Sequence, residues 1–256
     1  MARQPEGERK LKVAVVSIWS DEKLHDEVTA HLQKDKDLQV TKFSFEKPED
    51  SFELMNPKIS KMNEIGKTLL QIKQKHDLLI VLGLGHTGLK IHSYALGHQT
   101  AIPIYHLPGQ VARLDKHQDE GTTNETVNNV NYVTHVVKEG LKQPEEITNY
   151  GTTEYSFDKV RTKNPSELPH TNAKIFDVDI DAFHRKYKMK KGYWPGVSDV
   201  LISQFGKAVI NAKPHTIGFF EYGPHRDYHG LGLRTIKSLS LLAAQALKNK
   251  ERLTKN

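Results

Sequence analysis

The sequence has no cysteine among its 256 residues. Disulfides, thiolate metal sites and a cysteine nucleophile are therefore excluded, and any metal bound by side chains must be held by His, Asp and Glu. The sequence also lacks the run of about 20 apolar residues that a membrane-spanning helix needs. Residues 1–12 lack the apolar stretch of a signal peptide. We therefore expect a cytoplasmic protein that does not engage a membrane.

Neither sign of charge is scarce, but the basic side chains exceed the acidic ones. There are 37 Lys and Arg against 31 Asp and Glu, which gives a formal net charge of +6. The surplus is concentrated near both ends of the chain and in residues 184–194, and such a surplus can attract nucleic acid. Because no nucleic-acid-binding motif accompanies it, we interpret these residues as a solvated surface and do not expect a nucleic-acid partner.

Short apolar runs typical of buried strands alternate with amphipathic segments along the whole chain. This alternation predicts an α/β protein in three αβα layers with a mostly parallel central sheet. We predict one domain over residues 1–256, in which the polar stretch 151–172 forms a loop. The segments predicted to be extended are 10–19, 38–45, 77–85, 102–107, 110–115, 146–151, 173–181 and 215–223.

The strand predicted at 173–181 carries three aspartates at alternate positions, Asp177, Asp179 and Asp181. Alternate side chains of a strand share a face, so one face is a row of carboxylates and the other is apolar. Buried carboxylates do not stay ionised without compensation, and neighbouring ones raise each other's pKa. A bound divalent cation would provide that compensation, and a solvated strand edge is the alternative.

A second acidic motif, "DKHQDE", places Asp115, His117 and Asp119 at alternate positions after another predicted strand. In open α/β sheets, ligands bind at the carboxyl ends of the strands, where His86 and Glu221 are also expected. Four carboxylates and two imidazoles suit two divalent ions, with Mn²⁺ favoured and Zn²⁺, Co²⁺, Fe²⁺ or Ni²⁺ possible. The candidate ligands are His86, Asp115, His117, Asp119, Asp179 and Asp181.

Four segments, taken in order, resemble the arginase–agmatinase (ureohydrolase) family. "GLGHTG" (83–88) is similar to the family's Gly-rich loop that ends in His then Ser, and "DKHQD" (115–119) to its Asp-x-His-x-Asp motif. "DIDAF" (179–183) resembles the Asp-x-Asp motif, and "EYGPHRD" (221–227) the Glu-x-Asn-Pro…Asp segment. The resemblance runs from about residue 77 to the final helix.

The resemblance implies an arginase-like fold with two manganese ions about 3.5–4 Å apart, as is general for two-metal sites. By position, His86, Asp115, Asp119 and Asp179 would hold one ion. His117, Asp115, Asp179 and Asp181 would hold the other, with Asp115 and Asp179 bridging. Asp177 stands outside this set, either as an acceptor behind the ligands or as the solvated end of the acidic row.

The resemblance also implies hydrolysis of a guanidino, amidino or related C–N group of a small molecule by a metal-bridging hydroxide. Asp181 or Asp119 would take the proton from the attacking water, and Glu221 would bind the planar cation. His135 is the candidate proton donor. His92 and His98 are further candidates for that role, although ordinary structural positions are favoured for both. The family often forms trimers or hexamers, so a homo-oligomer is a further expectation.

This chain departs from the family pattern more at the residues that would recognise the substrate than at the metal ligands. Gly85 stands where the family has an acid, Gly223 where it has Asn, and the loop after Asp119 matches nothing in the family. Two alternatives therefore stay open. One is a metal-dependent deacylase on the same fold with a single zinc, and the other is a non-catalytic metal-binding or nucleic-acid-associated protein.

Overall fold

The computed structural model describes residues 9–50, 57–83, 93–115, 127, 131–150, 160–183, 202–224, 227 and 229–253. Eight strands in this part of the chain form one sheet, and all of the paired strands are parallel. The strands are β1 (Leu11–Ile18), β2 (Leu38–Phe45), β3 (Leu78–Gly83), β4 (Val111–Leu114), β5 (Ile147–Asn149), β6 (Arg161–Thr162), β7 (Ile175–Asp179) and β8 (Thr216–Phe220).

Helices connect the strands and cover the sheet. They are α1 (Glu22–Gln33), α2 (Ile59–Lys75), α3 (Ser93–Ala101), α4 (Tyr132–Lys138), α5 (Ile202–Ala212) and α6 (Leu231–Leu253). Helix α1 begins where the Asp21 carboxylate accepts a hydrogen bond from the backbone N–H of Leu24 at 3.0 Å, which caps an otherwise unpaired donor. Within the described ranges, every helix is too short or too polar to span a lipid bilayer.

The sheet separates two hydrophobic cores, and strand β1 shows how. Val13 and Val15 pack into the core beneath α1, α5 and α6, whereas Ala14 and Val16 pack into the core beneath α2 and α4. Burying an aliphatic side chain such as Val13 contributes about 1.5–3 kcal/mol relative to leaving it exposed. Helices on both faces of a parallel sheet confirm the predicted three-layer α/β class.

The strand order β2-β1-β3-β8-β7-β4-β5-β6 places β8, β7 and β4 side by side in the middle of the sheet. In the register of β7 with its neighbours, Asp177 lies opposite Arg113 of β4, and Asp179 lies opposite Phe220 of β8. All three strands run in the same direction, so their carboxyl ends meet at one edge. We call this the carboxyl edge of the sheet.

Three local expectations differ from the structure. Residues 102–107 are not extended, because Ile102–His106 form a 3₁₀ helix that has Pro103 in its first turn and buries Ile104 and Tyr105. The stretch 151–172 is not all loop, since it supplies edge strand β6 and a 3₁₀ helix capped by the Asn164 side chain. Strand β7 ends at Asp179, where the chain turns into the 3₁₀ helix Ile180–Ala182, so Asp181 does not continue the strand.

Candidate metal centre

Three acidic residues lie at the carboxyl ends of adjacent strands. Asp115 directly follows β4, Asp179 is the last residue of β7, and Glu221 directly follows β8. Each of these residues is no more than 2% exposed. The parallel register therefore gathers three buried acids at the carboxyl edge, each supplied by a separate strand.

A fourth side chain, His98 of helix α3, lies among these acids and is 2% exposed. Its Nε2 is 3.5 Å from Oδ2 of Asp115, 3.9 Å from Oδ2 of Asp179 and 4.0 Å from Oε1 of Glu221. Ligand atoms of His98, Asp115 and Asp179 all lie within 4.8 Å of one another. We call these three residues and Glu221 the edge cluster.

Helix α3 and strand β8 approach each other closely beside the edge cluster. A Cβ atom added to Gly97 would lie 2.6 Å from Oε1 of Glu221 and 3.0 Å from its backbone nitrogen. Glu221 itself has φ of 63°, a left-handed conformation that is uncommon for a residue with a side chain. Strained backbone of this kind is found preferentially at functional sites. The absence of a side chain at Gly97 and the turn at Glu221 together fix where the Glu221 carboxylate lies.

Beneath the edge cluster lies a buried polar network that begins with Arg113 of β4. Its Nη2 donates to Oδ2 of Asp115 at 2.5 Å, and its Nε donates to the hydroxyl of Tyr132 at 2.6 Å. The Tyr132 hydroxyl donates to Oδ2 of Asp177 at 3.0 Å, and the Tyr105 hydroxyl donates to the same oxygen at 2.6 Å. The Arg113 guanidinium thus orients the Asp115 carboxylate, and the Tyr132 hydroxyl fixes the guanidinium in turn.

The network sets the charge of its own members. Burial raises the pKa of Asp177 to about 6, and the hydrogen bond from Tyr105 and the charge of Arg113 oppose that rise. Burial also raises the pKa of Tyr105 and Tyr132 above the ordinary tyrosine value, so both remain neutral hydrogen-bond donors. The expectation that Asp177 could be a solvated strand end was wrong, because its carboxylate is 2% exposed and accepts from two tyrosines.

The backbone has close counterparts among solved structures. Formimidoylglutamase from Bacillus subtilis superposes with a TM-score of 0.68 at 12% sequence identity, covering 95% of this chain and 89% of that one. A hypothetical agmatinase from Burkholderia thailandensis gives 0.67 at 13% identity, covering 95% and 88%. Arginase from Entamoeba histolytica, solved with L-ornithine, gives 0.63 at 12% identity, covering 91% and 99%. The chain has the arginase-like fold.

The arginase-like fold is conserved here without detectable sequence similarity. No family model matches the chain, and no curated protein matches it in sequence. The predicted resemblance to the fold is therefore confirmed by the backbone alone. At identities of 12–13%, the chemistry of the site must be argued from this chain's own residues.

The structure brings some of the predicted site residues together. Asp115, Asp179 and Glu221 meet in the edge cluster. Glu221 is only 1% exposed, so it is not a surface side chain. His86, His117, Asp119 and the carboxylate of Asp181 lie outside the described part of the chain, so their roles stay predictions.

The histidines named in the sequence analysis need separate comment. His135 lies on α4, is 9% exposed, and its Nε2 has no hydrogen-bond partner among the described residues. His98 was expected to be an ordinary histidine, yet it lies in the edge cluster. The sequence feature that could have indicated the position of His98 is the glycine before it. Only a residue without a side chain at position 97 lets helix α3 approach the carboxyl end of β8 this closely.

A His followed by Ser also occurs at His92–Ser93, whereas Thr87 follows His86. His92 is therefore a second candidate for the role given to His86.

The edge cluster fits a divalent cation. Its donors are one imidazole nitrogen and carboxylate oxygens, a mixture that Mn²⁺, Zn²⁺, Co²⁺, Fe²⁺ and Ni²⁺ accept in proteins. Asp115, Asp179 and Glu221 are three buried acids within 4.0 Å of one ring nitrogen, and a cation offsets the repulsion between them. Arg113 provides part of that compensation for Asp115, through Oδ2.

Proposed function

We propose that the chain is a metal-dependent hydrolase that cleaves a C–N bond in a guanidino, amidino or related group of a small molecule. The observation that carries the proposal is the edge cluster, in which Asp115, Asp179 and Glu221 converge on His98 at the carboxyl edge of an arginase-like sheet. Ligands of open α/β sheets bind at that edge. Solved structures with this fold include proteins described as arginase, agmatine ureohydrolase and amidino hydrolase.

Asp115 and Asp179 would provide the carboxylates for the ion held at the described part of the site. Following the resemblance, His86, His117, Asp119 and Asp181 would complete two sites, with manganese the favoured metal. When bound, two divalent ions lower the pKa of a shared water so that hydroxide forms near neutral pH. Arg113 holds Oδ2 of Asp115, so the Asp115 carboxylate is oriented before any ion binds.

Glu221 would bind the substrate. A buried carboxylate accepts paired N–H bonds from a planar cation such as a guanidinium, which favours one orientation of the group. Gly97 and the left-handed turn fix the position of the Glu221 carboxylate, which supports a role beside the proposed ligands Asp115 and Asp179. The planar group of the substrate would therefore bind at the Glu221 carboxylate, next to the ion that Asp115 and Asp179 would hold.

Two proton transfers would complete the hydrolysis. Water adds across the C–N bond, so one proton leaves the attacking water and the departing nitrogen gains one. Asp119 or Asp181 would accept the first proton. His135 is the proposed donor to the departing nitrogen, since the donor role needs a titratable group and its buried Nε2 has no partner within the described residues.

The first experiment measures metal content by elemental mass spectrometry after the protein has been stripped and reloaded with Mn²⁺. We expect about two ions per chain in the wild type, a higher melting temperature when they bind, and loss of tight binding in Asp179→Asn. Asp77→Asn is the matched control, because the Asp77 carboxylate accepts hydrogen bonds from Arg9 and from the backbone N–H of Lys12 at the opposite edge of the sheet. No stoichiometric metal in the reloaded wild type would contradict the proposal.

The second experiment supplies the loaded enzyme with guanidino, amidino and formimino compounds and measures release of urea, ammonia or formamide. We expect Glu221→Gln to lower kcat/KM for a cationic substrate at least 100-fold while metal content stays unchanged. A loaded enzyme that releases acetate from acetylated amines instead would support the deacylase alternative. Release of no product from any of these compounds would favour a non-catalytic metal-binding protein.

A further inference from the structure

His98 lies in the middle of the edge cluster, although the resemblance to ureohydrolases gives it no role among the metal ligands. It is carried by helix α3 rather than by a strand end, and it reaches Asp115, Asp179 and Glu221 at 3.5, 3.9 and 4.0 Å. Within the part of the chain that the structure describes, His98 is the one histidine that forms a possible metal-binding group with two carboxylates. The position of His98 raises the question of what its imidazole ring does in the edge cluster.

The ring of His98 is held in place by Tyr132. The two rings are stacked with centroids 5.2 Å apart and planes 3° from parallel. Tyr132 is fixed in turn, because its hydroxyl accepts from Arg113 and donates to Asp177. The stack leaves the edge of the imidazole, and with it Nε2, directed at the carboxylates.

The separations from His98 within the edge cluster lie at, or slightly above, those between ligands of a common ion. Donors bound at about 2.1 Å with angles of 90–110° lie about 3.0–3.5 Å apart. The distance from Nε2 of His98 to Oδ2 of Asp115 is 3.5 Å, and that to Oδ2 of Asp179 is 3.9 Å. A small inward movement of the carboxylates would bring all three donors to one ion.

We infer that Nε2 of His98 is a ligand of the ion held by Asp115 and Asp179, and that it shifts the metal preference of this chain. The inference rests on the proposed function, which places an ion at those two carboxylates. Imidazole nitrogen favours Zn²⁺, Co²⁺ and Ni²⁺, whereas sites with oxygen donors alone suit Mn²⁺. His98 therefore increases the affinity for Co²⁺ more than that for Mn²⁺.

The test titrates metal-free protein with Co²⁺ and, separately, with Mn²⁺ by calorimetry, and records the visible absorption of the Co²⁺ form. The variants are His98→Gln and His98→Ala, with His170→Gln as the control because His170 is exposed in a 3₁₀ helix away from the site. Melting of each metal-free variant identifies those that are folded, and His98→Gln retains a polar side chain if His98→Ala is unstable.

We expect both His98 variants to lose Co²⁺ affinity at least 10-fold, to lose less Mn²⁺ affinity, and to show an altered Co²⁺ spectrum. Added imidazole should restore Co²⁺ binding in His98→Ala, because it supplies the missing nitrogen in the space left by the ring. The His170→Gln control should match the wild type in all of these measurements.

Three results would overturn the inference, and they differ in what they say about the proposed function. Wild-type affinities and spectrum in the His98 variants, together with lost binding in Asp179→Asn, would reject the His98 ligand and leave the metal site standing. Equal losses of Co²⁺ and Mn²⁺ affinity, with no rescue by imidazole, would make His98 only a positioning residue or a counter-ion. A wild type that binds neither metal would overturn both proposals.

Discussion

Polar side chains line both edges of the sheet, but the two edges use them differently. At the amino edge, where the strands begin, Lys142 donates to the carbonyl of Leu107 at 2.8 Å and Nε2 of His215 lies 2.9 Å from the carbonyl of Pro108. At the carboxyl edge, Arg113 donates to the carboxylate of Asp115, and His98 faces three acids. Amino-edge groups thus satisfy backbone atoms, whereas carboxyl-edge groups face one another.

This difference distinguishes polar side chains that support the fold from those gathered at the candidate site. A side chain that bonds a backbone carbonyl satisfies a group that the fold would otherwise leave unpaired, so it contributes to stability alone. Acids that converge at one point repel each other, and this repulsion costs stability until a cation, a proton or a hydrogen bond offsets it. The carboxyl edge therefore gives up stability that the proposed ion would restore, and changes at the two edges should have different consequences.

The largest expected effect is that of Arg113→Met, which keeps the length of the side chain and removes its charge. Asp115 and Asp177 would remain buried after losing the neighbouring guanidinium, so we expect the free energy of unfolding to fall by about 3–5 kcal/mol. Lys142→Met at the amino edge is the matched control, with about 1–2 kcal/mol expected for one lost hydrogen bond. Urea denaturation of both variants measures the difference, and equal losses would contradict the comparison.

Tyr132→Phe should have the next largest effect. It removes the hydroxyl that links Arg113 to Asp177 but keeps the ring that stacks on His98, so we expect a loss of about 2 kcal/mol. Tyr105→Phe breaks only the bond to Asp177 and should cost about 1 kcal/mol. Thermal melting of the two metal-free variants compares them, and a larger loss in Tyr105→Phe would show that Arg113 does not depend on Tyr132.

At the amino edge, His215 should make the free energy of unfolding depend on pH. Burial lowers the pKa of His215 to about 4 from the ordinary value of 6.5, so the unfolded chain binds a proton more readily than the folded one. Stability from this group is complete above pH 6.5 and falls by about 1–2 kcal/mol as the pH falls towards 4, after allowance for partial exposure. His215→Gln should reduce that fall in urea denaturation at pH 7 and pH 4.5; identical pH profiles would reject the assignment.

The smallest effect should come from the exposed rim of the amino edge. Arg9 donates to Asp77 at 2.8 Å, and its side chain is 58% exposed. Exposed ion pairs are worth about 0.2–1 kcal/mol, so Arg9→Ala should shift the unfolding midpoint only slightly and leave metal binding unchanged. A change in Mn²⁺ affinity in this variant would mean that the two edges are coupled through the sheet.

Local pattern was enough to predict the layers of this fold and part of its site. Apolar runs between amphipathic helices predict a parallel sheet, and parallel strands bring their carboxyl ends to one edge. Asp115, Asp179 and Glu221 could therefore be predicted to meet, because each follows or ends a strand.

The remaining features depend on contacts between distant segments. The partners of Asp177 are Tyr132 and Tyr105, 45 and 72 residues away, so alternation could not show whether its carboxylate is solvated or bonded. The place of His98 depends on how closely α3 approaches β8, which Gly97 permits and no local periodicity encodes. The 3₁₀ helix at Ile102–His106 has an apolar sequence that suits a short strand equally well.

The strand order also has a consequence for how the chain folds. Strands β3 and β4 are consecutive in sequence, yet β8 and β7 lie between them in the sheet. During synthesis the early strands β1, β2 and β3 can pair with one another, but they cannot join β4 until residues 175–220 have left the ribosome. Closing such long-range parallel pairs is slow. The last strands to arrive thus both unite the sheet and deliver Asp179 and Glu221, so the proposed metal site would form only in a chain whose sheet has already closed.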